Sequence, residues 1–74
     1  MSRAVFHPAA NSEFLDSAKF YERQCEGLGA EFIDCIEDCR DRILRNPEIG
    51  RPEVADCRSM KTDRFPFRLF YQIE

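Results

Sequence analysis

Apolar and polar residues alternate one by one through the last ten positions. Phe65, Phe67, Leu69, Tyr71 and Ile73 interleave with Pro66, Arg68, Phe70, Gln72 and Glu74. A period of two marks a strand with one face turned to a core, so the odd positions are expected inside and Arg68 and Phe70 outside. The strand reaches Glu74 without a closing turn, which predicts an open sheet edge.

Upstream the period changes. Ser2 to His7 contains Ala4, Val5 and Phe6 and fits a first strand. Pro8 suits a first helical turn, where its missing N–H costs nothing. From about Ala9 to Cys25 the residues Ala10, Phe14, Ala18, Tyr21 and Cys25 recur at helical spacing, with Leu15 widening the stripe. Gly27 is placed to close this helix in the left-handed conformation. A second helix is predicted from about Ala30 to Arg45, on the stripe Phe32, Cys35, Ile36, Cys39 and Ile43. Asp34, Glu37, Asp38, Arg40 and Asp41 form its wet face. Pro47 disfavours a helical Asn46 and ends it. Glu48 to Asp56, with Gly50 and Pro52, reads as loop. A second strand covers Cys57 to Thr62, and Asp63-Arg64 turns into the last one.

The order is strand, helix, helix, strand, strand. Two helices joined by so short a loop pack as an antiparallel hairpin. Each carries one apolar face, as does the last strand, so the hairpin must cover one side of a small antiparallel sheet. The fold class is α+β in a single domain over residues 1–74.

Seventy-four residues support only a thin core, since a chain of this size buries about 60% of its unfolded surface. No apolar run is long enough to cross a bilayer, and the N-terminus lacks the apolar stretch of a signal peptide, so a cytoplasmic protein is expected. The net charge of −3 argues against direct nucleic-acid binding, which usually brings a basic surplus. From Arg58 onward, however, Arg58, Lys61, Arg64 and Arg68 stand against Asp63 and Glu74, which allows a local basic patch.

Cys25, Cys35, Cys39 and Cys57 contain no Cys-x-x-Cys pair, and Cys35 and Cys39 lie four apart within a helical pattern. Free, buried cysteines in a reducing compartment are the expectation, with no metal site. His7, the sole histidine, sits at a strand-to-helix junction and reads as structural. The sequence carries no Ser-His-Asp order and no Gly-rich phosphate loop.

Several motifs, in order, resemble those of the RelE/ParE superfamily of bacterial toxin–antitoxin modules. They are Phe6-His7-Pro8 with Ala10, Glu13, Ala18 with Phe20-Tyr21-Glu22, Gly27 and Gly29 with Phe32, and Asn46-Pro47. The closing set is Arg58 with Phe65-Pro66-Phe67-Arg68 and Tyr71. The Phe-Pro-aromatic element is closer to the ParE branch. The resemblance implies a toxin of a plasmid-stabilisation module, held inactive by a cognate antitoxin. In the ParE branch the target is DNA gyrase. In the RelE branch it is messenger RNA at the ribosome, cut with basic and aromatic side chains of the sheet. Neither branch implies a cofactor or a metal. Members of the family normally continue with another strand and a basic tail beyond the point reached by Glu74. A non-toxic antitoxin-binding module and a RelE-like endoribonuclease therefore stand beside the ParE-like reading.

The site candidates follow from strand phase together with that resemblance. Arg68 matches an arginine that stabilises phosphate charge in the nuclease branch, and Lys61 on the preceding strand would orient phosphate beside it. A solvated strand arginine paired with Glu74 or a neighbour, and a lysine guarding a strand, fit the same pattern. Phe70 is the more telling aromatic because its phase exposes it. With Arg58 and Arg64 it is a candidate for contact with the antitoxin, or with a second copy of the chain joined through the open edge.

Overall fold

A computed structural model of the chain describes residues 3–6 and 8–74, with side chains omitted for 8–12. The expected serine start and His7 junction of the first strand lie outside the described residues. The elements are β1 (Ala4–Val5), α1 (Pro8–Gln24), α2 (Leu28–Arg45), a 3-10 turn (Pro47–Ile49), β2 (Arg51–Pro52), β3 (Cys57–Lys61) and β4 (Arg68–Ile73). The α+β class, the helical hairpin and the antiparallel sheet are as expected.

Gly27 takes the left-handed conformation at φ 87° between the helices. The second helix nevertheless starts two residues before Ala30, because its free N–H groups have a partner the sequence pattern hid. The Glu22 carboxylate reaches forward from α1 and accepts from the amides of Gly27 and Gly29, each at 3.0 Å. Gly29 also sets the closeness of the hairpin: a Cβ there would lie 2.8 Å from the Ala18 carbonyl oxygen.

The segment expected to be loop, Glu48 to Asp56, contributes a strand. Arg51 and Pro52 pair with Ser59 and Arg58. Their two-residue run is too short for an alternating pattern to register. Tyr71 anchors this segment. Its hydroxyl donates to the Pro47 carbonyl at 2.6 Å and accepts from the Gly50 amide at 3.0 Å. Glycine is required at position 50 because a Cβ would run into that hydroxyl.

The last strand is shorter than its alternation. Phe65 and Phe67 keep their core phase, but Pro66 cannot donate to a ladder and the chain turns broadly between Lys61 and Arg68. Thr62, itself buried, holds that turn by donating to the carbonyls of Phe65 (2.8 Å) and Phe67 (3.3 Å).

The sheet order is β1-β4-β3-β2, wholly antiparallel. β4 is thus an interior strand, which corrects the expectation that the final strand forms the open edge. β1 pairs with it only at Ile73 and Gln72, extended by reciprocal bonds between Arg3 and Glu74 at 2.9 Å. Alongside Arg68 to Phe70, no strand among the described residues pairs with β4 on that side.

The helices cover one face. Phe32, Ile36, Cys39 and Ile43 of α2 are buried with Ala18 of α1 and with Ala4, Phe65, Leu69 and Tyr71 from the sheet side. Phe32 lies at the centre, within 5.1–5.8 Å of the rings of Phe14, Tyr21, Phe65 and Phe67. Such edge-on and offset contacts add to the burial itself. Leu15 departs from its expected place and is half exposed, and Cys25 and Cys57 are exposed, so the buried-cysteine expectation holds for Cys39 and in part for Cys35. No described helix is long and apolar enough to cross a membrane.

Candidate functional site on the uncovered sheet face

Strand register fixes which side chains share the face away from the helices. Residues directly opposite in an antiparallel pair point the same way, so Arg68 stands with Lys61, Phe70 with Ser59, and Gln72 with Cys57. Across the next ladder Arg51 joins Ser59. The face therefore gathers Arg51, Ser59, Lys61, Arg68 and Phe70.

Three of these are linked through Glu53, which follows β2. Arg68 Nε donates to Ser59 Oγ at 3.1 Å. Ser59 Oγ donates to Glu53 Oε2 at 3.0 Å. Arg51 Nη2 meets the same oxygen at 2.9 Å. Ser59 is 0% exposed although it lies on the uncovered face, and its hydroxyl both accepts and donates. The hydrogen bond from Arg51 holds the Glu53 carboxyl below its ordinary value. The Ser59 hydroxyl and the charges of Arg51 and Arg68 act in the same direction, while burial opposes them. Glu53 is thus a carboxylate placed between two guanidinium groups.

Lys61 faces Arg68 directly, and like charges at directly opposed positions cost stability. Lys61 turns its ammonium to the Thr62 carbonyl at 3.4 Å. Phe70 is 52% exposed next to this cationic pair.

The structure thus brings together Arg68, Lys61 and Phe70. Arg58 and Arg64 lie elsewhere. Arg58 opposes Tyr71, on the helix side, and its Nη1 donates to the carbonyls of Glu48 (3.2 Å) and Gly50 (2.8 Å). Its guanidinium closes the loop that Tyr71 anchors. Arg64 sits in the turn before β4, bridging to Glu31 at 3.3 Å and lying over the Phe65 ring. Glu74, considered as a partner for Arg68, instead bridges to Arg3 at 3.7 Å.

Sequence reasoning missed Arg51, Glu53 and Ser59. One signal was available. Counting by twos from Lys61 puts Ser59 on the Arg68 face, where a small hydroxyl between cations stands out. Arg51 and Glu53 gave none, since the loop reading removed them from any register. Among the described residues, no three His, Cys, Asp or Glu side chains gather as a metal would require.

A cation pair with one adjacent exposed aromatic, set across the two central strands, is suited to grip a partner that offers both an oxyanion and an apolar surface. No curated relative and no solved structure matches the chain. A family model described as the ParE toxin of the type II toxin-antitoxin system, parDE, matches residues 4–74. With nearly its whole length covered, and the helical hairpin on an antiparallel sheet in place, the chain belongs to the ParE toxin family of type II toxin–antitoxin systems.

Proposed function

We propose that this toxin arrests growth in the cytoplasm until a cognate antitoxin covers the uncovered sheet face, and that DNA gyrase is the target of the free toxin. The observation that carries the reading is Phe70, half exposed beside Arg68 and Lys61 on the one sheet face that the helices leave open. Aromatic and arginine side chains set side by side are the usual anchors of a protein–protein interface. Family membership supports the toxin role, and the acidic balance of the chain favours a protein partner over nucleic acid.

The test is induction of the chain in a bacterium, with and without the antitoxin encoded beside its gene. Arrest relieved by that antitoxin, with gyrase supercoiling blocked and messages intact, is the expected result. Unimpeded growth with soluble, folded protein that still binds the antitoxin would replace the toxin with a non-toxic binding module. The facing pair of Lys61 and Arg68 favours a second reading, cleavage of messenger RNA with Arg68 stabilising phosphate charge. Degraded messages with normal supercoiling would select it.

A further inference from the structure

We propose that Ser59 and Glu53 are positioning residues for Arg68, fixing its guanidinium so that its two terminal nitrogens meet a carboxylate of the protein partner. The inference rests on the reading that the uncovered face binds the antitoxin.

Ser59 is fully buried on β3, which pairs with β2 on one side and β4 on the other, a place where a β-branched or aromatic residue would ordinarily be favoured. A buried hydroxyl costs stability unless it is satisfied, and this one is satisfied twice, by Arg68 Nε and by Glu53 Oε2. Being enclosed, Ser59 cannot itself touch a partner. What its two bonds achieve is direction. An arginine on a strand is otherwise free to swing through many rotamers. Here Nε is committed to Ser59 Oγ, which leaves the two terminal nitrogens for a partner.

The charges agree with this geometry. Arg51 and Arg68 flank the carboxylate of Glu53 and Lys61 faces Arg68, leaving a local surplus of two positive charges on a chain of net charge −3. Glu53 offsets part of the repulsion between Lys61 and Arg68 without neutralising the patch, and it stays ionised because Arg51 and Ser59 both donate to it. A planar carboxylate matches the two-pronged end of a held guanidinium. Nucleic acid would call for a longer cationic track than these three side chains provide. Phe70 beside them offers the apolar contact of a protein interface.

The experiment uses the whole chain and the antitoxin encoded beside its gene, with affinities measured by calorimetry. Ser59→Ala is expected to weaken binding roughly tenfold, the effect of losing one hydrogen bond to a charged group. Arg68→Ala should weaken it more. The double variant should bind no worse than Arg68→Ala alone, because the serine acts only through the arginine. In the free chain, the Arg68 Nε–H proton should exchange slowly with solvent and become fast in Ser59→Ala. If Ser59→Ala does not fold, Glu53→Gln takes its place in the same cycle and should couple to Arg68 in the same way. Wild-type affinity in Ser59→Ala, or strict additivity with Arg68→Ala, would overturn the positioning role and leave the antitoxin-binding face standing. Unchanged affinity in both Arg68→Ala and Phe70→Ser would overturn the face itself, and the positioning role with it. Fluorescence anisotropy with a labelled single-stranded RNA provides the remaining arm. Tight, Arg68-dependent RNA binding, with antitoxin affinity independent of Arg68, would refute the protein carboxylate.

Discussion

Tyr71 and Phe70 are neighbours on one strand, and they stand in opposite circumstances. Tyr71 is 1% exposed, ringed by apolar side chains, with its hydroxyl bonded twice to the Pro47–Gly50 segment. Phe70 is half exposed and shares its face with Lys61 and Arg68. The helix-side face is closed: Phe32 packs against the rings of Phe65 and Phe67, Tyr71 against that of Phe6, and the buried hydroxyls of Tyr71 and Thr62 fasten loops. The other face keeps its charges in contact with water and spends its single buried hydroxyl on aiming an arginine. Stability is concentrated on the first face, and the second is the one on which the partner contact is proposed.

The sharpest way to break that division is Phe32→Ala. Phe32 is fully buried and touches four aromatic rings, so removing its side chain should cost about 3–5 kcal/mol. In a domain this small that is a large share of the total, and thermal or urea unfolding should show it at once. A loss under about 1 kcal/mol would mean that α2 does not pack on the sheet as described.

Tyr71→Phe is a smaller probe of the same face. It keeps the ring and removes only the hydroxyl, leaving the Gly50 amide and the Pro47 carbonyl without that partner. The expected cost is about 1–3 kcal/mol, together with faster amide exchange at Gly50. If the exchange at Gly50 is unchanged, the hydroxyl does not hold the loop.

These two residues also show what could be read from the chain. The alternation from Phe65 to Ile73 placed Tyr71 inside and Phe70 outside, because a half-buried strand writes its burial as a period of two. The α2 stripe was legible for the same reason, through Phe32, Ile36, Cys39 and Ile43. The relay behind Arg68 was not. It depends on Arg51 and Ser59 lying across a ladder, with Glu53 folded back between them, and the two-residue β2 carries no period of its own. Nor was the sheet order legible. That β4 lies inside the sheet follows from β1 returning beside it, a long-range pairing that local pattern does not encode.

On the uncovered face the effects on folding become weak and conditional. Glu53 has its carboxyl held low in the folded chain by Arg51, then Ser59. A depressed folded value stabilises the fold above the unfolded value, ordinarily near 4.5, and that contribution disappears as pH falls through the lower folded value. Stability measured downward from pH 5 should therefore decline more steeply for the wild type than for Glu53→Gln. Parallel curves would show that the carboxylate gains nothing from its neighbours on folding.

The last prediction is an expected absence of effect on one side of the comparison and a large effect on the other. Phe70 faces away from the core and directly opposes the buried Ser59. Phe70→Ser should shift unfolding by no more than about 0.5 kcal/mol, as for other surface positions away from packed contacts. Binding is a different matter. An exposed aromatic that anchors an interface commonly contributes about 2 kcal/mol or more, so the same variant should lose affinity for the antitoxin, or for a second copy of the chain, by roughly thirtyfold. Unfolding and binding measured on one preparation separate the two roles. If Phe70→Ser unfolds the domain, the phase of β4 is reversed and the face described as open is part of the core. If it changes neither quantity, Phe70 is an idle surface residue, and Arg68 with its relay must hold the partner without an apolar anchor.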